Sequence, residues 1–474
     1  VIEITAAGLQ SLFEAQRAAF GADSFPPREL RLDRLARLQA LLIGNEEAIA
    51  QAISADFGHR STHETAIAET MMVLATLSHA RRHLRRWMKT RRVATTFHSL
   101  PGSSWITPQP LGVVGIVSPW NYPLQLSIGP AVAALAAGNR VLIKPSELTP
   151  RFSELLEQLV RASFAADEMA VAPGDVELAR QFVSLPFDHL FFTGSTAVGR
   201  SVAAAAAPNL TPVTLELGGK SPAIVDASAN LAEAARRIAA GKLLNAGQTC
   251  IAPDYALVPE HLVAAFAEAF KQAAAQLYPT LEHNPDYTSI VNDRHYDRLH
   301  RLVDDACAQG ARAVPTHPGA QPEAAAGRKM HPALLLDVTP AMAVMREEIF
   351  GPVLPVVGYG TLDEAIAFVN RRPRPLALYW FGTDRKHRDR VLRETISGGV
   401  TLNDVLLHIA QENLPFGGVG ASGSGAYHGS YGFRLFSKEK PVFEQSAFSG
   451  AALLRPPYGK RAETVLRTLK RLLS

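Results

Sequence analysis

Apolar residues in the first quarter of the chain recur at helical spacing. Leu32, Leu35, Leu38 and Leu42 fall on one face, and Gly44 and Gly58 interrupt the pattern. Residues 28–91 therefore read as consecutive helices. From about residue 110 the texture changes to short apolar runs bounded by turn residues, at 111–117, 141–143, 189–192 and 223–225. Alanine-rich helical stretches such as 131–137 and 231–244 separate them. Strands alternating with helices predict an α/β architecture with parallel sheet. The alternation resumes beyond 250, with runs at 334–336 and 353–357, and predicts a second such unit. Residues 452–474 are basic and read as a detached tail. Within them Val465, Leu466, Leu469, Leu472 and Leu473 share one helical face, and Arg467, Lys470 and Arg471 take the other. No internal repeat is visible.

Composition narrows the class. A length of 474 residues suits two or three domains. A hydrophobic fraction of 47% with 19% charged residues is ordinary for a globular chain with a large core. The formal charge is +4, from 48 basic and 44 acidic residues, and gives no nucleic-acid footprint. Arg81, Arg82, Arg85, Arg86, Lys89, Arg91 and Arg92 do cluster. Beside Met71, Leu74, Leu77, Leu84 and Met88 they read as the solvated side of an amphipathic helix. The charge-free stretch 113–139 carries three prolines, Asn121 and Gln125, too polar and broken to span a membrane. Two cysteines, Cys250 and Cys307, allow no disulfide framework beyond one bridge and no zinc spacing, which fits a reducing compartment. Residues 1–10 lack the basic segment of a secretory signal. The expectation is a cytoplasmic protein without a metal centre.

Several short segments carry chemistry. Cys250 stands in Asn-Ala-Gly-Gln-Thr-Cys-Ile-Ala-Pro, where a preceding Gly and a following Pro make a helix-to-loop junction suited to a presented thiol. Cys307 lies in a helical stretch and reads as a small buried hydrophobe. Glu216, between two leucines and before two glycines, is a carboxylate in apolar surroundings. Such a setting raises its pKa toward that of a general base; read alone, it is equally a strand-edge acid facing solvent. Asn121 in Pro-Trp-Asn-Tyr-Pro offers an amide donor on a proline-fixed backbone, suited to an oxyanion or simply to a turn. Gly194-Ser195-Thr-Ala-Val-Gly199 follows an apolar run and opens a helix, a geometry that presents N–H groups to a diphosphate. It also comes near a phosphate-binding P-loop, except that Arg200 stands where the lysine belongs. Lys144-Pro-Ser146-Glu147 ends a strand, where Lys144 and Glu147 can meet ribose hydroxyls.

Together these segments resemble the aldehyde dehydrogenase superfamily over residues 30–445. The matching motifs are Pro-Trp-Asn-Tyr-Pro at 119–123, Lys-Pro-Ser-Glu at 144–147, Phe-Thr-Gly-Ser-Thr at 192–196 and Leu-Glu-Leu-Gly-Gly-Lys at 215–220. Gly-Gln-Thr-Cys at 247–250, Glu-Glu-Ile-Phe-Gly-Pro at 347–352 and Leu-Pro-Phe-Gly-Gly at 414–418 complete the set. Cys-Ile-Ala-Pro-Asp-Tyr at 250–255, Asn-Asp-Val-Leu-Leu-His at 403–408 and Gly-Ala-Tyr-His-Gly at 425–429 resemble its class 3 and fatty-aldehyde branch. The tail is similar to that of the bacterial coniferyl group.

The resemblance implies a Rossmann-like cofactor domain (1–91 and 111–218), an α/β catalytic domain (219–420), a small β oligomerisation arm (92–110 and 436–447) and a tail (448–474). It implies oxidation of a hydrophobic aldehyde, aromatic or long-chain, to its acid, with NAD or alternatively NADP. Cys250 is then the nucleophile, Glu216 the general base and Asn121 an oxyanion donor. The cofactor falls to Trp120, Lys144, Ser146, Glu147, Gly194, Ser195, Gly199, Leu217 and Gly218, with Glu348 and Phe350 on the nicotinamide side. A homodimer is expected, with little membrane association. The rival readings are a P-loop-type phosphotransferase, a cofactor-free thiol esterase and a non-catalytic structural or binding protein of the same fold.

Overall fold

The computed structural model describes residues 4–317, 326–448 and 454–473. Its N-terminal helices Arg28–Gly44, Glu46–Phe57 and Met71–Trp87 occupy the stretch that the helical spacing marks out. Between the last two, Thr62–Thr65 leads into a π turn, Ala66–Thr70. Beyond the turn the buried face runs through Val73, Leu77, Ala80 and Leu84. Met71, expected on that face, is one position out of phase with it and 55% exposed. Arg91 and Arg92 leave the helix altogether and lie on a strand, Arg91–Val93.

The first large sheet runs Met169–Val171, Arg140–Lys144, Val113–Val117, His189–Gly194, Val213–Leu217, all parallel. In chain order this is 3-2-1-4-5, the dinucleotide-binding arrangement. Its crevice opens where the order reverses, between Val113–Val117 and His189–Gly194. A two-residue strand from far along the chain, Gly423–Ser424, closes the open edge antiparallel to Val213–Leu217. Helix Pro123–Ala137 is buried at every residue. It packs against Arg28–Gly44 and Met71–Trp87 on one side and the first sheet on the other.

The second sheet has seven strands, in the order Arg312–Pro315, Ala333–Leu336, Val353–Tyr359, Tyr255–Pro259, Pro222–Val225, Ala377–Phe381, Gly399–Leu402. Only Arg312–Pro315 pairs antiparallel. Helices cover both faces, so a central strand such as Ala377–Phe381 is buried throughout and reads as an unbroken apolar run. The third sheet is small and antiparallel: Arg91–Val93, Ser103–Pro110 and Ser437–Glu444. Ser437–Glu444 forms one of its edges and is largely exposed.

Cys307, expected to be buried, is exposed on helix Asp293–Ala308, whose inward face is carried by Leu299, Leu302 and Ala306. The tail forms a helix, Lys460–Leu473. Ala462 is buried there, but Leu466 and Leu472 of the expected apolar stripe are 45% and 67% exposed. Residues 449–453 and 474 of the expected tail, and the Leu473 side chain, lie outside what is described. Among the described residues no helix is long and apolar enough to cross a membrane.

Candidate active site

The backbone that carries Cys250 is held in an unusual shape. Helix Leu231–Leu243 ends, and Asn245, Ala246 and Gly247 follow with φ of 52°, 51° and 77°. Three left-handed residues in a row are costly for L-side chains, so the turn must be held from outside. Gly247 has no alternative: a Cβ there would lie 2.2 Å from the Gly351 carbonyl oxygen. Both Glu64 carboxylate oxygens accept from the Asn245 N–H at 3.1 Å, and Glu64 also accepts from Thr288 at 2.7 Å. Gln248 bridges the turn to its surroundings, donating to the carbonyls of Asn245 and Ser289 and accepting from the Val291 N–H. Tyr379 donates to the Ile251 carbonyl on the far side of Cys250.

Asn121 enters from the loop after Val113–Val117. Its carbonyl accepts from Arg60 and from the Asn245 side chain, each at 3.0 Å. Its side-chain amide donates to the Gln248 carbonyl at 3.1 Å, two residues before the cysteine. An amide carries two N–H groups, so one donor is left for a ligand oxygen. Arg60 is fully buried and paired with Glu69 at 2.8 Å, and Glu69 in turn accepts from the N–H groups of Leu124 and Gln125 at the start of Pro123–Ala137. Tyr122 and Thr249 share a hydroxyl hydrogen bond of 2.7 Å. The nucleophile loop and the Asn121 loop are thus locked to each other.

Glu216 lies on Val213–Leu217, 3% exposed. Neither of its oxygens has a hydrogen-bond partner among the described residues, and burial drives its pKa well above the usual carboxylate value. The Cys250 thiol is pushed up to about 12, first by burial and then by the Glu348 and Glu216 carboxylates. The N–H groups of Cys250 and Ile251 pull the other way. The resting sulfur is therefore a thiol, and the two carboxylates beside it disfavour a thiolate. Glu348 is itself raised to about 8, chiefly by burial. It presses on Gly218, where a Cβ would lie 2.0 Å from a Glu348 oxygen. Trp120 and Phe350 meet edge to face at 5.4 Å, with Phe350 in a left-handed conformation.

The other expected cofactor residues spread along the crevice of the first sheet. Ser146 and Glu147 line a cavity of about 250 Å³ at the carboxyl ends of Arg140–Lys144 and Met169–Val171. Lys144 lies beneath it, 1% exposed, with its ammonium on the carbonyls of Pro145 and Gly174. Burial lowers its pKa. Gly194 ends His189–Gly194, and Ser195 caps helix Thr196–Ala206 by accepting from the Val198 N–H. Gly199 lets that helix approach the sheet, since a Cβ would meet Leu217 at 2.7 Å. A second cavity of about 530 Å³, bordered by Thr196, Gly218 and Glu348, lies between the two sheets. The two cavities, with a helix N-terminus between them, fit an adenosine at one end and a reactive ring beside Glu348 at the other. Arg60, Glu64, Glu69 and Asn245 were not singled out from the sequence. The one available signal was a pair of acids, Glu64 and Glu69, flanking the apolar Ala66-Ile67-Ala68 in a helical stretch.

A thiol, a buried carboxylate and an amide donor, set beside a dinucleotide-type crevice, are groups suited to an oxidoreductase that acts on a carbonyl. The chain belongs to the aldehyde dehydrogenase family, whose model matches residues 1–442. It is 51% identical over 461 residues to a probable coniferyl aldehyde dehydrogenase of Pseudomonas aeruginosa, covering 97% of this chain and 96% of that one. It is 40% identical to a dimeric NADP-preferring aldehyde dehydrogenase of Mus musculus, covering 92% and 95%. The substrate-bound structure of Staphylococcus aureus AldH superposes with a TM-score of 0.92 at 40% identity, covering 97% of this chain and 99% of that one. The α/β fold expected from the sequence is that of the family, and neither the phosphotransferase nor the non-catalytic reading finds support.

Proposed function

We propose that the protein oxidises a hydrophobic aldehyde, of the coniferyl type or long-chain, to its carboxylic acid, with NAD preferred and NADP also used. The observation that supports the mechanism is a half-buried Cys250 that feels the charge of the buried Glu216, with the Asn121 amide tied to the backbone two residues before the cysteine. Glu216 takes the proton of the Cys250 thiol as sulfur attacks the carbonyl carbon. The oxyanion so formed is held by the free Asn121 N–H and the Cys250 N–H. NAD(P), when bound, supplies the acceptor for the hydrogen and its electron pair, and the sulfur is left in a thioester. Glu216 then takes a proton from water, which adds to the thioester and releases the acid.

Trp120, Gly218, Glu348 and Phe350 would border the reactive ring. Gly194, Ser195, Gly199 and Leu217 would hold the diphosphate turn, and Ser146 and Glu147 the adenosine ribose. Lys144 supports that end from below. The Glu147 charge favours free ribose hydroxyls over a 2′-phosphate, which argues for NAD. The relatives' coniferyl naming and the tail motif at 455–460 support an aromatic substrate. A homodimer is proposed from two open strand edges, Ser437–Glu444 in the small sheet and Gly399–Leu402 in the seven-stranded one, each suited to pairing across a subunit boundary. A cytoplasmic location completes the reading.

A panel of coniferaldehyde, decanal and acetaldehyde, each assayed with both cofactors, tests it. Coniferaldehyde or decanal should give the higher kcat/KM, and Cys250→Ala should hold less than ~1% of turnover. A preference for acetaldehyde would reject the substrate class, and retained turnover in the variant would reject the nucleophile.

A further inference from the structure

Oxidising an aldehyde to a carboxylate releases protons inside the protein. One leaves the Cys250 thiol for Glu216 as the carbon–sulfur bond forms. A second leaves the attacking water for Glu216 as its oxygen bonds to carbon; the carbon–sulfur bond breaks, its electrons return to sulfur, and the thiol takes a proton back. The acid then ionises. Two protons per turnover must therefore reach solvent, and among the described residues the buried Glu216 has no hydrogen-bond partner to pass them to.

Gly423 pairs with Glu216 and Ser424 with Leu215, and the chain beyond them runs back alongside Thr214 on the strand that carries the base. Tyr427 lies there, 2% exposed, and its phenol feels the charges of Glu216, Cys250 and Glu412. Tyr427 also lines a narrow cavity of about 10 Å³, room for one water, together with Thr76, Gln125, Glu412 and His428. Two polar atoms at this cavity are buried and have no partner among the described residues: Oε2 of Glu412 and Nδ1 of His428. Oε1 of Glu412 accepts from Thr76 at 2.5 Å. Buried polar atoms without protein partners are rare except where water meets them. Trp87 borders this cavity and also an open groove of about 850 Å³ shared with His79, His83, Arg86 and Arg434. The cavity thus lies between Tyr427 and the surface groove.

We propose that Tyr427, Glu412 and His428, with water held between them, carry protons from Glu216 to the groove beside Trp87. This rests on the reading of Glu216 as the general base. The groups that face the path come from four directions: Glu216 and Cys250 behind Tyr427, Thr76 and His79 from helix Met71–Trp87, His408 from the preceding loop, and the groove cations at the outlet. Burial holds His428 and His408 down to about 4, so both rings are neutral near pH 7 and can accept and donate in turn. Burial raises Glu412 against the opposing pull of the Thr76 hydroxyl and the Gly429 N–H.

The test compares wild type with Glu412→Gln and the near-isosteric Tyr427→Phe, in dilute and imidazole-rich buffer. NADH absorbance and an indicator dye are followed together by stopped flow. The expected result in both variants is an intact NADH burst and unchanged KM for the aldehyde. Proton release should lag, and the steady rate should fall on the order of tenfold in dilute buffer, with a larger solvent isotope effect. Imidazole should restore the rate, and the acidic limb of the pH profile should shift. An unchanged rate in both variants, a loss that imidazole does not restore, or a change confined to KM and dependent on aldehyde size would each overturn the relay; the last would mark a substrate pocket instead. If one variant fails to fold, the other carries the same comparison. A wild type with no NADH burst would sink the active-site reading itself, a separate failure.

Discussion

Asn121→Ala isolates the oxyanion donor with little structural damage. The backbone at 121 is fixed by its own carbonyl, which accepts from Arg60 and Asn245 at 3.0 Å, and neither bond uses the side chain. Removing the amide deprives the Gln248 carbonyl of one donor, but Asn245 Nδ2 still donates to it at 3.2 Å. No acceptor is orphaned, so the stability loss should stay near about 1 kcal/mol, a Tm shift of a few degrees in a chain this long. Catalysis should suffer more. A preorganised donor to a developing oxyanion contributes ~3–4 kcal/mol, so kcat should fall roughly 10²–10³-fold with the aldehyde KM nearly unchanged. Stopped-flow NADH formation and a thermal melt on the same preparation check both halves. A kcat loss below about fivefold with an intact melt would falsify the assignment of Asn121 to the oxyanion. A raised KM at constant kcat would move it to ground-state binding.

Glu216→Gln should slow the first-turnover burst of NADH, because the same carboxylate takes the Cys250 proton, and should lose steady turnover. Glu216 acts as the anion and its pKa is raised by burial. The wild-type rate should therefore fall as pH drops through a window above the ordinary carboxylate range, and a variant that retains this limb would place the titration elsewhere. Glu147→Gln should raise kcat/KM with NADP relative to NAD, because it removes the charge that disfavours a 2′-phosphate; an unchanged cofactor ratio would refute that role. Sedimentation velocity at micromolar concentration should give a dimer, and a monomer would contradict the proposed pairing of the open strand edges.

The sequence was most legible where local pattern and chemistry coincide. Runs such as 141–143 and 353–357 are strands because both faces of their sheets are covered, which leaves no polar alternation to blur them. Val213–Leu217 is harder to read: its threonine and glutamate look like solvent-facing positions, yet Thr214 and Glu216 are both buried. The Cys250 motif announced a helix-to-loop junction, but not that the turn is held by Glu64, since that contact joins residues 181 positions apart. Met71 stands outside because the buried stripe of its helix runs through Val73, Leu77, Ala80 and Leu84, and position 71 falls off that stripe in the helical period. Tyr427, His428 and Glu412 lay inside or beside motifs already noticed, but only the fold brings them to one cavity.

The closing of the first sheet by Gly423–Ser424 bears on how the protein is made. Val213–Leu217 and its parallel neighbours leave the ribosome complete, yet the strand that covers their outer edge follows roughly 200 residues later. At about 5–20 residues per second this leaves an interval of roughly 10–40 s. During it a hydrogen-bonding edge that carries the general base stands open to any passing strand. A nascent chain stalled before residue 423 should therefore be sticky as well as inactive. The cell's need for chaperone cover would be set by translation of the catalytic domain rather than by folding of the cofactor sheet.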